Sequence, residues 1–365
     1  MPNLIVSTCG TSIFSGNADA DIRTVLVQFA NAKTVADISP DVLPRLQAHI
    51  QQRSAELMQV TSLHTLTERS AELACLVAFY GNALRGKDHH ILLATDTWLS
   101  EQAAQTLACI LQHYGHSTEV KRCTDLRTDD LGAYRAALSE LVRWAYQDLK
   151  GYRAGGHRII FNLTGGFKAV QGFMQTLGAL LADECVYSFE RSAELIRIPR
   201  LPVEMRPESY VIDNLTAFRR MSLGLNVMQS QALSVPELLL LTVDDQVALS
   251  EWGELVWGGV RESIYGAMLR PSPSPKLQFG SGFAESAEGL DERRIRQINI
   301  KVDDLARFIE TGQSLRSLDF KIIKAGPRKG STHEIDAWHD GDAKRLFGHY
   351  ANEIFVLDRL DAALH

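Results

Sequence analysis

Over the first 200 residues, short apolar runs alternate with longer stretches in which apolar side chains return every three or four positions. The runs at 4–6, 91–94, 159–161 and 186–189 are largely apolar on successive positions, the pattern of strands covered on both faces. Between them Leu99, Ala103, Leu107, Ile110, Leu111 and Tyr114 fall on one helical face, as do Leu131, Tyr134, Leu138, Leu141, Val142 and Ala145. This alternation predicts an α/β fold in which helices cover a mainly parallel sheet.

The pattern breaks at Pro199, Arg200, Leu201 and Pro202, with Pro207 just beyond, which marks a first boundary. From 203 to 270 the periodicity is weaker, and buried helical turns at 238–241 and 252–257 predict a helical or mixed middle region. The run Pro271-Ser-Pro-Ser-Pro275 removes amide donors and favours extended backbone, so it predicts a linker. Beyond it, 291–311 is charged with helical spacing, and 320–324, 332–339, 343–350 and 353–358 predict successive strands. Turn residues at Asp340-Gly341-Asp342 and Ala351-Asn352 join the last three as hairpins. A helix ahead of a small antiparallel sheet is an α+β arrangement. The chain therefore reads as three parts, 1–200, 201–275 and 276–365.

A length of 365 residues agrees with two or three domains. With 45% hydrophobic and 22% charged residues, wholesale disorder and fibrous folds are excluded. The net charge of −6 argues against a chain that coats nucleic acid, since phosphate attraction needs a positive field. Any nucleotide or RNA site must then be a local basic pocket. The five cysteines are odd in number and widely spaced, which fits a reduced, cytoplasmic setting better than a disulfide framework or a zinc site. The N-terminus carries no cationic leader and no run approaches 18 apolar residues, so neither secretion nor a membrane partner is expected.

Three loops follow directly on predicted strands: Ser7-Thr8-Cys9-Gly10-Thr11-Ser12, Thr95-Asp96-Thr97, and Asn162-Leu163-Thr164-Gly165-Gly166-Phe167-Lys168. In an open parallel sheet such C-terminal strand ends converge on one crevice where ligands bind. Small residues let backbone amides approach a phosphate, and hydroxyls add donors. Taken singly, each glycine also serves a tight strand-to-helix turn. No loop has the GxxxxGK[ST] or GxGxxG form, so neither ATP hydrolysis nor dinucleotide redox chemistry has its usual signal.

The opening Leu-Ile-Val-Ser-Thr-Cys-Gly-Thr-Ser (4–12) together with Phe-Asn-Leu-Thr-Gly-Gly-Phe-Lys-Ala (161–169) resembles the CARF domains of CRISPR-associated effectors. The resemblance covers about 200 residues and implies a Rossmann-like CARF fold. It also implies a homodimer that binds one cyclic oligoadenylate across its twofold axis. Cyclic tetra-adenylate is the first expectation, with ring size left open. By position, Thr8, Gly10, Thr11 and Ser12 would line one wall, Thr95 and Asp96 another, and Asn162, Thr164, Gly165, Gly166 and Lys168 the third. The messenger is an activating ligand, and no further cofactor is implied.

A receptor domain needs an output: 276–365 has 14 basic and 15 acidic side chains, a balance of −1, yet Arg316 to Gly330 is a local positive patch. Arg316, Lys321, Lys324, Arg328 and Lys329 cluster against Asp319 alone, with His333, His339, His349 and Arg345 nearby. Such a set can cleave RNA without metal: cations hold the phosphate and stabilise the oxyanion, and another group takes the 2′-hydroxyl proton. Strand alternation puts Ile335 and Ala337 on the core face, leaving Glu334, Asp336 and Trp338 opposite. In the next strand Leu346, Gly348 and Tyr350 would pack inward, with Arg345, Phe347 and His349 on the other face.

The string from Gly330 to Trp338, then Asp340 to Tyr350, then Ile354 to Leu357 resembles the end of a RelE-type toxin. That family places helices on a small antiparallel sheet and cuts mRNA in the ribosomal decoding site. The resemblance puts Arg345 at the family's arginine position, while Glu334 and Asp336 stand where basic residues are usual, so general acid and base stay open. The expected catalytic set is Arg345, His349, Arg328, Lys329 and Glu334, the last as a candidate proton acceptor, with no metal. Two alternatives stand beside it. Arg328 to His333 and Arg85 to His90 both have the Arg-x4-6-His spacing of HEPN single-strand RNA endonucleases. A non-enzymatic CARF transcription regulator would use 203–270 as a helix-turn-helix, though its few basic residues offer few phosphate contacts. The leading expectation is a cyclic-oligoadenylate-activated, ribosome-dependent mRNA endoribonuclease that inhibits translation in type III CRISPR antiviral defence.

Overall fold

The computed structural model describes residues 1–16, 18–188, 194–202, 207–313, 315–324 and 330–362. The chain forms two compact units, Met1–Glu204 and Met205–His365. Among the described residues no helix is long and apolar enough to cross a membrane.

The first unit is built on six strands, β1 (Asn3–Thr8), β2 (His89–Ala94), β3 (Ser117–Arg122), β4 (Arg158–Asn162), β5 (Glu184–Ser188) and β6 (Leu195–Pro199). Their order is β3-β2-β1-β4-β5-β6, and every pairing is parallel except β5 with β6. The α/β expectation therefore describes this unit. Leu4, Ile5 and Val6 are all fully buried, as a central strand with helices on both faces requires. The helix Trp98–His113 buries Leu99, Ala103, Leu107, Ile110 and Leu111 and is capped by the Thr97 hydroxyl. The two edges of the sheet differ: β3 is the polar strand Ser-Thr-Glu-Val-Lys-Arg, and β6, Leu-Ile-Arg-Ile-Pro, is the antiparallel edge on the other side.

The strand order places a topological switch at β1. The chain moves outward to β2 and β3 on one side and to β4 and β5 on the other. The loops after β1 and β4 therefore flank the point where an open sheet leaves a crevice.

The second unit opens with helices Glu208–Asp213 and Leu215–Ser222, the hairpin β7 (Leu240–Val243) and β8 (Gln246–Leu249), and the helix Glu251–Ala267. Phe218, Val247, Trp257, Val260 and Tyr265 form its core. Helix at 252–257 agrees with the apolar pattern, but 238–241 is a 3-10 turn, Glu237–Leu239, running into β7. The turn that follows places Asp244 in the left-handed region at φ 54°, so Leu-Leu-Thr-Val is half of a hairpin rather than a helical turn. Pro271 and Pro273 do not stand apart as a spacer. Their carbonyls accept from Arg219 and Arg220, the second at 3.0 Å, and Arg219 Nε also donates to Asp303 at 2.9 Å.

The same unit holds a five-stranded sheet of β9 (Leu277–Phe279), β10 (Lys321–Ile322), β11 (His333–Trp338), β12 (Lys344–Ala351) and β13 (Ile354–Ala362). The order is β10-β11-β12-β13-β9, antiparallel except for β13 with β9. The helix Glu292–Thr311, capped by Asp291 and stopped by Gly312 at φ 72°, carries Ile298, Val302, Leu305 and Ala306. These join Ile335, Leu346, Phe355, Leu357 and Leu360 in one core.

Two bulges set which side chains leave that core. On β11, Asp336 pairs with Arg345 and Trp338 with Lys344, so Ala337 is an extra residue. Trp338 is thereby returned to the core it shares with Ile335, where simple alternation had placed it on the opposite face. On β13, Phe347 pairs with Arg359 and Gly348 with Leu357, so Asp358 has no partner in β12. Tyr350 keeps the inward side through Phe355, 4.9 Å between ring centres, yet is 44% exposed.

Candidate functional site

At the switch point the loops after β1 and β4 touch directly. Thr8 Oγ1 donates to the Gly165 carbonyl, which also accepts Gln171 Nε2 at 2.9 Å. A Cβ on Gly10 would stand 2.7 Å from the Gly166 nitrogen, and one on Gly165 only 1.9 Å from Glu72 Oε1. Glycine is required at both positions by close approach.

Glu72 is the residue that sequence reasoning missed. It is 1% exposed, and its Oε1 accepts the Gly10 amide at 2.7 Å while Oε2 accepts Ser12 Oγ at 3.1 Å and Ser70 Oγ at 2.9 Å. Its own carbonyl accepts Asn162 Nδ2 at 3.3 Å. A buried carboxylate between the two glycine loops thus holds them in one arrangement. The only local sign was a Ser-x-Glu pair opening an apolar helix, which an N-cap explains as well.

The predicted ligand residues divide into two groups. Thr8, Thr95, Asp96, Asn162 and Gly165 are buried. Asp96 accepts from Lys33 Nζ at 2.8 Å, Arg122 Nε at 2.8 Å and the Asp125 amide at 2.9 Å. Burial alone would raise its carboxyl, but these donors hold it below the ordinary value. Thr95 gives its amide to Ser100 Oγ and its hydroxyl meets Thr97. Those two residues support the crevice rather than face it. Gly10, Thr11, Ser12, Thr164 and Gly166 are half-buried and Lys168 is exposed at the start of the helix Lys168–Leu181. Beside Asp96, an open cavity of about 630 Å³ is bordered by Asn31, Lys33 and Arg127.

The second candidate lies on the face of the C-terminal sheet opposite the helix Glu292–Thr311. Arg345 Nη2 donates to Asp319 Oδ2 at 3.0 Å, and Lys321 Nζ reaches the same oxygen at 2.8 Å. Both cations also approach Glu334 Oε1, at 3.7 and 3.6 Å. The hydrogen bonds from Lys321 and Arg345 hold the Asp319 carboxyl below its ordinary value. Glu334 is 8% exposed, and its Oε2 has no hydrogen-bond partner among the described residues.

Farther along β12, His349 Nδ1 lies 3.0 Å from each oxygen of Asp358. Arg345, His349 and Glu334 are therefore on one face, as the alternation anticipated, with Phe347 between them and the Arg359 guanidinium 5.2 Å over its ring. Arg328 and Lys329 lie outside the described residues. His333, the histidine of one Arg-x4-6-His spacing, begins β11 rather than sitting on a helix, and its ring packs against Phe320 and, edge-on, Phe355. Burial lowers its imidazole. His90, the histidine of the other spacing, is wholly buried in β2.

Residues 67–201 match the family model of a CRISPR-associated protein (Cas_APE2256). The matched segment contains β2 to β6, including the loop after β4, and supports a CRISPR-associated protein. No curated protein matches the chain.

Proposed function

We propose that this chain is a cyclic-oligoadenylate-activated endoribonuclease of CRISPR antiviral defence that cuts ribosome-bound mRNA and so inhibits translation. The observation that carries the reading is the second face of the C-terminal sheet, where Arg345, Lys321 and a carboxylate-held His349 share one surface. A guanidinium there can give two parallel bonds to a phosphodiester, and an imidazole can move the 2′-hydroxyl proton. The resemblance to RelE-type toxins supplies the ribosome-bound substrate.

In the first unit, the touching loops after β1 and β4 at the switch point, together with the CRISPR-associated match, support a messenger site. Gly10, Thr11, Ser12, Thr164, Gly166 and Lys168 would meet the ligand, while Thr8, Asn162, Gly165 and Asp96 keep their walls in place. A cyclic ligand with twofold symmetry is best held by two copies of one crevice, so the active form is read as a homodimer.

The test is cleavage of mRNA by the full chain, with and without ribosomes and with and without cyclic tetra-adenylate. Cleavage that needs both, leaving a 2′,3′-cyclic phosphate, is the expected result. Cutting of free single-stranded RNA would favour the HEPN-type reading. A 3′-hydroxyl end would point to metal-activated water instead. Sedimentation of the chain with the messenger tests the dimer.

A further inference from the structure

The bulge on β13 has no counterpart in a simple strand alternation, and it delivers a carboxylate to the RNA-cleaving face. Phe355 and Leu357 point into the core, and so does Leu360. The last two are three positions apart instead of an even number, because Asp358 is the residue without a partner on β12. Bulges re-aim side chains in this way beside functional sites. Here the consequence is that both Asp358 oxygens stand 3.0 Å from His349 Nδ1.

We propose that Asp358 is a positioning residue that fixes the tautomer of His349, leaving Nε2 to take the proton of the attacking 2′-hydroxyl. The inference rests on the RNA-cleaving reading above. An ionised carboxylate only accepts, so the Nδ1 facing it must carry the hydrogen. In the neutral ring Nε2 is then unprotonated and is the basic atom. It makes no hydrogen bond among the described residues, and the side chain is 36% exposed, so an RNA hydroxyl can reach it.

The carboxylate is itself oriented. Ser331, fully buried, donates its hydroxyl to Asp358 Oδ2 at 2.7 Å and accepts Arg359 Nη1 at 3.3 Å. Such a chain keeps the acceptor aimed at Nδ1.

The step balances without a further reactant. Nε2 takes the 2′-hydroxyl proton as the 2′-oxygen bonds to phosphorus. The phosphorus–O5′ bond breaks with its electron pair on O5′, which takes a proton from solvent. The products are a 2′,3′-cyclic phosphate and a 5′-hydroxyl, and the imidazolium returns its proton to water.

The test uses the full chain labelled with ¹⁵N at histidine. Ring ¹⁵N spectra of the wild type at neutral pH should show His349, assigned through His349→Ala, protonated on Nδ1. In Asp358→Asn the amide can donate to Nδ1, so the ring should change to the Nε2–H form. Single-turnover cleavage should fall at least about 100-fold, the usual scale of lost acid–base help, with ribosome binding and the melting temperature kept. Asp358→Glu, which keeps an acceptor, should recover part of the rate. A wild-type ring protonated on Nε2 overturns the proposal, even if Asp358→Asn does not fold. Wild-type cleavage rates in a folded Asp358→Asn overturn it too. If the wild-type chain cuts no RNA, the endoribonuclease reading fails and the proton transfer with it, while the ring spectra still decide whether Asp358 sets the tautomer.

Discussion

Glu72 accepts the Gly10 amide at 2.7 Å across 62 positions of chain, and with its other oxygen it accepts the hydroxyls of Ser12 and Ser70. One carboxylate therefore ties the loop after β1 to the helix Ala71–Phe79, and its backbone carbonyl ties that helix to Asn162 at the end of β4. Glu72→Ala leaves an amide and two hydroxyls short of an acceptor in a buried site. The expected cost is about 2–4 kcal/mol of stability, by the usual price of unsatisfied buried polar groups. Urea unfolding of the full chain checks it, and a midpoint equal to wild type would show that the loops hold without the carboxylate.

Lys168 is exposed at the first position of the helix Lys168–Leu181, directly after the glycine loop. If its ammonium makes a charged hydrogen bond to the messenger, Lys168→Ala should weaken binding by about 1.5–3 kcal/mol. Calorimetric titration with cyclic tetra-adenylate measures the difference. Equal affinity for every cyclic oligoadenylate tried removes Lys168 from the site.

Arg345 bonds Asp319 at 3.0 Å and has 15% of its side chain exposed. By analogy with a lost oxyanion donor, Arg345→Ala should slow the chemical step about 100- to 1,000-fold. Arg345→Lys should recover only part of this, because an ammonium keeps the charge but loses the fork. Ribosome-dependent cleavage at the wild-type rate by Arg345→Ala would sink the assignment.

His90 is fully buried in β2, with Tyr80 Oη 3.2 Å from Nε2 and the His116 ring 4.6 Å away. Burial, and then the nearby His116, push its imidazole down to about 3. The unfolded chain, with an ordinary histidine, binds a proton that the folded chain refuses between about pH 6.5 and 3. Stability is therefore complete above this window and falls as the pH drops through it, by up to about 1.4 kcal/mol per pH unit from this group. Urea midpoints at pH 7 and pH 5 should differ in that direction, and His90→Gln should flatten the dependence. An unchanged slope in the variant would assign the acid sensitivity to other groups.

Much of the first unit was legible because its central strands are buried on both faces. Leu4 to Val6, Ile91 to Ala94 and Ile159 to Phe161 had to be apolar at every position, and that leaves a local mark. The edge strand β3 leaves none, since one flank meets solvent and Ser, Glu, Lys and Arg serve there as well, and in the edge strand β6 the apolar residues are interrupted by Arg197. The three residues of β9 are too few to show any period.

The loops were placed by the sequence for the same reason: each follows a strand, and strand ends in a parallel sheet share one edge. Which of their side chains face the crevice was a tertiary decision. Asp96 and Thr95 turn inward to Lys33, Arg122 and Ser100, partners that the sequence does not mark as theirs. Glu72 enters because a helix from elsewhere in the chain packs over the glycines.

On the C-terminal sheet, alternation alone put Arg345, Phe347 and His349 on one face, since β12 runs without an extra residue. It could not place Trp338 or Asp358. A bulge adds one residue to one strand and reverses every later position, and it is set by how two strands register against each other. Residue types and their spacing were thus written in the chain. The His349–Asp358 pair exists only once β13 is laid against β12.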